Sequence, residues 1–168
     1  MEKSNVILTG MPGAGKSTLG VLLAKALKKD FIDTDLLIQK QEGMLLQDII
    51  NERGLDYFLS AEERAVKALN VREHVIATGG SVIYSTAAVE HLKRDGIFIF
   101  LNVSYDEIKR RLKNIKSRGI AMGKSQSIKS LYGERIALYK KHSDIIIDCP
   151  CGRIEDAVLK IKNKLESF

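Results

Sequence analysis

The sequence predicts an α/β domain, a five-stranded parallel sheet with helices on both faces. Three observations carry that expectation. Five short apolar runs are each separated from the next by helical periodicity. The first run ends at once in a glycine-rich loop. The chain of 168 residues, 45% hydrophobic and 29% charged, is long enough for one core and short for two ordinary domains. One domain over residues 1–168 is therefore expected.

The elements follow in order. Val6-Ile7-Leu8-Thr9 is the first run, and the helical pattern behind its glycines passes through Leu19, Leu22, Leu23, Ala26 and Leu27. Phe31-Ile32 is a second strand, ending in Asp33-Thr34-Asp35. Residues 36–70 are helical in pattern with breaks near Gly43 and Gly54, and Glu62, Glu63, Arg64 and Lys67 are expected on the wet face of the last piece. Val75-Ile76-Ala77-Thr78 is a third strand, closed by Gly79-Gly80. A helix from Ala87 to Lys93 precedes the fourth strand, Ile97 to Leu101. Residues 104–113 read as helix, 114–126 as a mobile loop, and Ser127 to Lys140 as helix again. The fifth strand is Ile145-Ile146-Ile147, and an amphipathic helix runs from Ile154 to Leu165. Short continuous apolar strands alternating with helices mark a parallel sheet covered on both faces. Such sheets bind ligands beyond the carboxyl ends of their strands. Gly10, Asp33, Asp35 and Gly79 fall at that edge.

Charge and composition narrow the partners. The net charge is +6, but seven basic residues and no acidic one lie between Lys109 and Lys124. Without those seven the chain has 20 basic against 21 acidic residues, so the excess is local. No aromatic residues are interleaved there on which bases could stack, so a nucleic-acid partner is not expected. A small phosphate-rich ligand suits the segment. The longest apolar run, Ile97 to Leu101, is far below the roughly 20 residues of a bilayer span. The first residues lead straight into a strand without a signal-like apolar stretch, so a cytoplasmic, membrane-free monomer is expected. Cys149 and Cys151 flank one proline, too close for a comfortable disulfide and without the second cluster that zinc requires. They read as a near-surface pair without chemistry.

Gly10-Met11-Pro12-Gly13-Ala14-Gly15-Lys16-Ser17 matches the phosphate-binding pattern G-x-x-x-x-G-K-[ST] at every fixed position. Glycines let backbone N–H groups curl around phosphate oxygens, and the helix behind them presents its positive end. Lys16 is expected on the β and γ phosphates and the Ser17 hydroxyl on Mg²⁺. MgATP is the implied cofactor. Asp33 and Asp35, two residues apart at a strand end, suit one carboxylate for magnesium and one for a substrate hydroxyl. Asp33 or Thr34 as a helix cap is the competing reading.

Taken together, GMPGAGKST, FIDTD, the TGG after the third strand, the Arg118 loop and Arg135-Ile136-Ala137-Leu138-Tyr139 resemble shikimate kinases in order and spacing, from about Asn5 to Leu165. The resemblance implies a three-layer P-loop fold of the nucleoside monophosphate kinase type, with strand order 2-3-1-4-5. It implies substrate-binding helices within residues 34–70, a lid over 113–126, and transfer of the γ-phosphate of MgATP to the 3-hydroxyl of shikimate. Position by position it implies nucleotide contacts from Gly13, Ala14, Gly15, Lys16, Ser17 and Thr18, with Arg111 near the adenine. It implies magnesium at Ser17 and Asp33, and catalysis by Lys16, Asp35 and the lid arginine Arg118. Substrate contacts are implied for Asp35, Gly79, Gly80 and Arg135.

Three positions depart from the family pattern. Leu59 stands where an arginine usually helps Arg135 hold the shikimate carboxylate, which leaves Glu62 without its expected partner. Ser81 replaces the third glycine of a Gly-Gly-Gly run, and Gly119 replaces a proline after the lid arginine. Arg64, five residues beyond Leu59, is off the same helical face. Two readings stand at this point: a kinase of shikimate or another hydroxyl compound, and a nucleotide-binding regulator with weak catalysis.

Overall fold

The computed structural model describes residues 3–113, 119–123, 125–149 and 153–168. Five strands form one parallel sheet: β1 Asn5–Thr9, β2 Asp30–Asp33, β3 His74–Ala77, β4 Gly96–Asn102 and β5 Ile145–Asp148. Their order is β2-β3-β1-β4-β5, as the resemblance implied. All neighbouring pairs are parallel, with Val6 opposite Val75 on one side and Ile97 on the other. β1 is therefore the central strand, and all five of its residues are buried. Edge strand β5 alternates buried and exposed residues, so Ile146 stands in solvent although the sequence there is uniformly apolar.

The helices are α1 Lys16–Leu27, α2 Thr34–Glu42, α3 Leu46–Arg53, α4 Leu55–Lys67, α5 Thr86–Lys93, α6 Tyr105–Leu112, α7 Ile128–His142 and α8 Ile154–Glu166. A single 3₁₀ turn, Val82–Tyr84, precedes α5. Gly43 and Gly54 break the second connection into α2, α3 and α4 at positive φ, as their spacing predicted. Ser85, Ser104 and Ser127 cap α5, α6 and α7 through their hydroxyls. Among the described residues no helix is long and apolar enough to cross a membrane.

The main core lies around the sheet, with Ile7, Leu8, Phe98, Phe100 and Tyr139 at its centre. A smaller second core joins α2, α3 and α4 through Ile38, Ile49, Phe58 and Ala65, with Ala121 packed into it. The separation gives α2–α4 a base of their own beside the carboxyl edge of the sheet. One expectation fails here. Glu62 is 2% exposed and not on a wet face. It sits four residues from both Phe58 and Val66, on the buried stripe of α4.

The close approach of α5 to the central strands depends on Gly96. A methyl group there would lie 2.5 Å from the Leu92 carbonyl oxygen and 2.6 Å from Ile7 Cγ1. Gly96→Ala is expected to lower stability by about 1–3 kcal/mol through overpacking, read as a shift of the urea midpoint. Unaltered stability would show that β4 and α5 separate more easily than their packing implies.

Candidate active site

The loop between β1 and α1 has the conformation that its glycines permit. Gly10, Gly13 and Gly15 have φ of +149°, +82° and +93°, values that L side chains rarely adopt. The loop closes on itself through Ala14 N–H donating to the Met11 carbonyl at 3.0 Å. α1 begins at Lys16 with no acidic residue in its first turn, so its positive end is left for an anion. Lys16 folds back across the loop, its Nζ donating to the Gly10 and Met11 carbonyls at 2.8 and 2.9 Å. It is thus half-buried. Thr18, next on the helix, is exposed.

Asp33 closes β2 and serves two neighbours at once. Oδ1 accepts from the Asp35 and Leu36 backbone N–H groups, capping α2. Oδ2 accepts from the Ser17 hydroxyl at 2.5 Å. The cap reading therefore holds for Asp33, with its second oxygen turned to Ser17. Thr34 is fully buried and its hydroxyl accepts from Gly79 N–H at 2.9 Å, which ties the end of β3 to α2. These contacts hold Asp35 over the same cleft as Lys16, Ser17 and Asp33.

That cleft has a volume of about 290 Å³, and its far wall includes Gly80, Ile120, Ala121 and Arg135. Arg135, on α7, is 1% exposed. Its Nη2 donates to the Ala121 carbonyl at 2.5 Å and its Nε to the Tyr84 hydroxyl at 3.2 Å, with the guanidinium 5.2 Å from the Tyr84 ring centroid. Nη1 approaches Gly80 so closely that a methyl there would lie 2.9 Å away. The Tyr139 hydroxyl fixes the same glycine by donating to its carbonyl at 2.6 Å. Gly79 is equally confined, since a side chain on it would begin between Glu62 Oε1 and Asp35 Oδ1.

Glu62 lies beside this cleft. In place of the missing arginine, the Ser81 hydroxyl donates to Oε2 at 2.6 Å, while Oε1 has no hydrogen-bond partner among the described residues. Leu59, Ser81 and Tyr84 line a separate hollow with Glu62, outside the main cleft. Two of the three departures from the family pattern thus line one hollow, where Ser81 bonds the Glu62 carboxyl. Arg64 leans on Tyr57 and Glu42 instead.

The other side of the glycine loop faces a second hollow, lined by Ala14, Gly15, Arg111, Cys149 and Arg153. Arg111 Nη1 donates to the Gly13 carbonyl at 3.0 Å, and its Nε binds Glu107 at 2.6 Å. Cys149 is half-buried at this hollow. Burial pushes its thiol pKa up. Cys151 lies outside the described residues, as does Arg118 with much of the expected lid. Of that lid, Gly119, Ile120 and Ala121 line the main cleft, Gly119 lying against the Leu46 backbone.

The structure thus gathers Gly13, Gly15, Lys16, Ser17, Asp33, Asp35, Gly80 and Arg135 at one cleft, and Ala14 and Arg111 at the hollow behind the loop. Sequence reasoning missed Tyr84, Cys149 and Arg153. Position just beyond a strand's carboxyl end was the available signal for Cys149 and Arg153. Nothing local marks Tyr84, which meets Arg135 across 51 positions of sequence.

Comparisons agree with this geometry. The family model for shikimate kinase matches residues 12–166. The shikimate kinase of Sulfurihydrogenibium sp. (strain YO3AOP1) is 33% identical over 165 residues, covering 95% of this chain and 99% of its own. That of Caldanaerobacter subterraneus subsp. tengcongensis is 34% identical over 160 residues, covering 94% and 93%. Among solved structures, shikimate kinase from Acinetobacter baumannii in complex with shikimate superposes with a TM-score of 0.91 at 29% identity, over 98% of this chain and 93% of that one. A deoxyadenosine kinase from M. mycoides shares the fold alone, with a TM-score of 0.61 at 17% identity. Motif order, strand order and these likenesses over nearly the whole length have one common explanation: the chain belongs to the shikimate kinase family.

Proposed function

We propose that this protein transfers the γ-phosphoryl group of MgATP to the 3-hydroxyl of shikimate, giving shikimate 3-phosphate and ADP. The enzyme class, an ATP-dependent phosphotransferase with an alcohol acceptor, goes with the family. The observation that carries the finer reading is the cleft itself: Lys16, Asp35 and Arg135 line one space between the glycine loop and α2–α4. A hydroxy acid needs these groups, a cation for its carboxylate and a carboxylate for its reacting hydroxyl. A regulator without catalysis would have no use for all of them.

The donor set fits the cofactor. Positive-φ glycines, the free end of α1 and Lys16 suit a triphosphate. The paired oxygens of Ser17 and Asp33 suit Mg²⁺, which prefers oxygen ligands and takes the rest from phosphate and water. Bound there, the ion would neutralise charge on the transferring group. The hollow at Arg111 and Cys149 suits the base of the nucleotide. In the transfer, the acceptor oxygen attacks the γ-phosphorus as the bond to the β-bridging oxygen breaks, and the hydroxyl proton passes to Asp35. Lys16 leaves the two loop carbonyls and follows the charge onto the phosphates. Arg118, in this reading, closes over the same oxygens. A single-domain monomer in the cytoplasm, with no nucleic-acid or membrane partner, completes the proposal.

With Leu59 in place of an arginine, the substrate carboxylate has one buried guanidinium instead of two. A charge-assisted hydrogen bond contributes roughly 1.5–3 kcal/mol, so shikimate is bound about tenfold to a hundredfold more weakly than with both. Measuring ADP release by the wild-type protein over a panel of hydroxy acids and polyols tests the reading. Shikimate should give the highest kcat/KM of the panel, with a high KM; a different acid turned over far better would displace it.

Lys16→Met should reduce kcat by roughly a hundredfold or more while the thermal melt stays close to wild type. A variant that fails to fold would mean that the bonds of Lys16 to Gly10 and Met11 are structural. At the altered hollow, Ser81 already occupies Glu62. Leu59→Arg combined with Ser81→Gly should therefore lower the shikimate KM by roughly tenfold, more than Leu59→Arg alone, without moving the KM for ATP. An unchanged shikimate KM in the double variant would place the new guanidinium away from the substrate.

A further inference from the structure

Glu62 is a buried carboxyl that the transfer described above does not use. Five groups on four surrounding elements face it: Asp35 on α2, Lys16 on α1, Arg135 and Tyr139 on α7, and Ser81 in the turn after β3. Only one of its oxygens is satisfied. Oε2 accepts from Ser81, while Oε1, fully buried, has no hydrogen-bond partner among the described residues. Oε1 and Asp35 Oδ1 flank the point where a Gly79 side chain would begin. An ionised carboxylate would leave Oε1 buried without a donor and beside a second negative charge, which is doubly unfavourable. A proton on Oε1 removes both problems. It turns an orphaned acceptor into a donor and finds an acceptor in the neighbouring carboxylate.

We propose that Glu62 is a positioning residue for the transfer: it stands behind Gly79 as a neutral acid, with Ser81 fixing one oxygen and the proton on the other directed to Asp35. The proposal rests on the shikimate kinase reading only through the role given to Asp35. Its effect is to keep a single negative charge at the substrate end of the cleft. Lys16 and Arg135 are then left to anionic ligands and not drawn to an extra carboxylate, and Asp35 is held by a donor opposite the acceptor hydroxyl.

Burial, with Asp35 adding to it, pushes the Glu62 carboxyl pKa up to about 8. The folded protein therefore holds this proton to about pH 8, while the unfolded chain releases it near the ordinary value of 4.5. Between those limits the folded state binds more protons, so the contribution of Glu62 to stability is complete below about pH 4.5 and is lost as pH rises to about 8.

The test has three readouts. In wild-type protein carrying ¹³C-labelled glutamate, one side-chain carboxyl carbon should titrate near pH 8, and in Ser81→Ala its midpoint should rise further, since the lost hydrogen bond favours the charged form. Every glutamate titrating below pH 6 would overturn the proposal, and this readout stands even where a Glu62 variant fails to fold. In thermal melts, Glu62→Gln should gain on wild type as pH rises from 5 to 8; parallel melting curves would count against it. In kinetics, wild-type kcat with shikimate should fall about fivefold between pH 8 and pH 9 as one proton leaves, without a matching change in the KM for ATP. The same limb should be missing from Glu62→Gln, and its persistence there would assign the loss to another group. A wild-type protein inactive on shikimate would refute the functional reading, while the carbon titration and the melts would still decide the state of Glu62.

Discussion

The site depends on one carboxylate. Asp33 ends β2, caps α2 with one oxygen and binds the Ser17 hydroxyl at 2.5 Å with the other. The first contact sets where α2 starts, and with it the position of Asp35 two residues on. The second sets the distance between that helix and the phosphate-binding loop. A side chain shorter in reach or with only one acceptor would leave the loop and α2 to settle independently. Phosphoryl transfer depends on positioning more than on covalent chemistry, so this coupling between the nucleotide and acceptor halves is the main structural requirement.

The parallel sheet makes that coupling available. Its order brings the carboxyl ends of β1, β2 and β3 side by side, so that the loop, Asp33 and Gly79 share an edge although they lie far apart in sequence. The small core under α2–α4 then carries Asp35 to the cleft and Glu62 to the hollow beside it, while α7 brings Arg135 to the cleft from the other side. Arg135 is buried among a carbonyl, a hydroxyl and an aromatic face, none of them anionic. Its charge remains unneutralised by those neighbours, which is what a carboxylate ligand needs. Glu62, which also faces Arg135, takes its hydrogen bond from a serine instead of a cation. With leucine at 59, the one hydrogen bond to the Glu62 carboxyl among the described residues comes from the Ser81 hydroxyl.

Much of this was legible from local pattern. The glycine loop has its meaning in eight consecutive residues, and the continuous apolar runs reveal a parallel sheet whose central strand is covered on both faces. Gly43 and Gly54 marked helix ends because only glycine adopts the required φ without strain. What escaped is non-local. Glu62 was assigned to solvent by its charge, although its spacing from Phe58 and Val66 placed it on the buried stripe; the serine that makes its burial tolerable lies 19 residues away. The bonds of Lys16 to the Gly10 and Met11 carbonyls escaped because no sequence displays backbone acceptors. The clasp of Tyr84 on Arg135, and the place of Cys149 behind the loop, follow from how α7 and β5 pack and not from any neighbouring residue.

The central claim is that one buried arginine and one aspartate suffice to bind shikimate and direct its 3-hydroxyl to the nucleotide. Identifying the product by ³¹P and ¹H NMR, with MgATP and shikimate as the only substrates, addresses it directly. The account predicts a phosphate monoester coupled to the ring proton at carbon 3, formed in amounts equal to the ADP released. ADP release without that ester, or an ester on another hydroxyl, would contradict it.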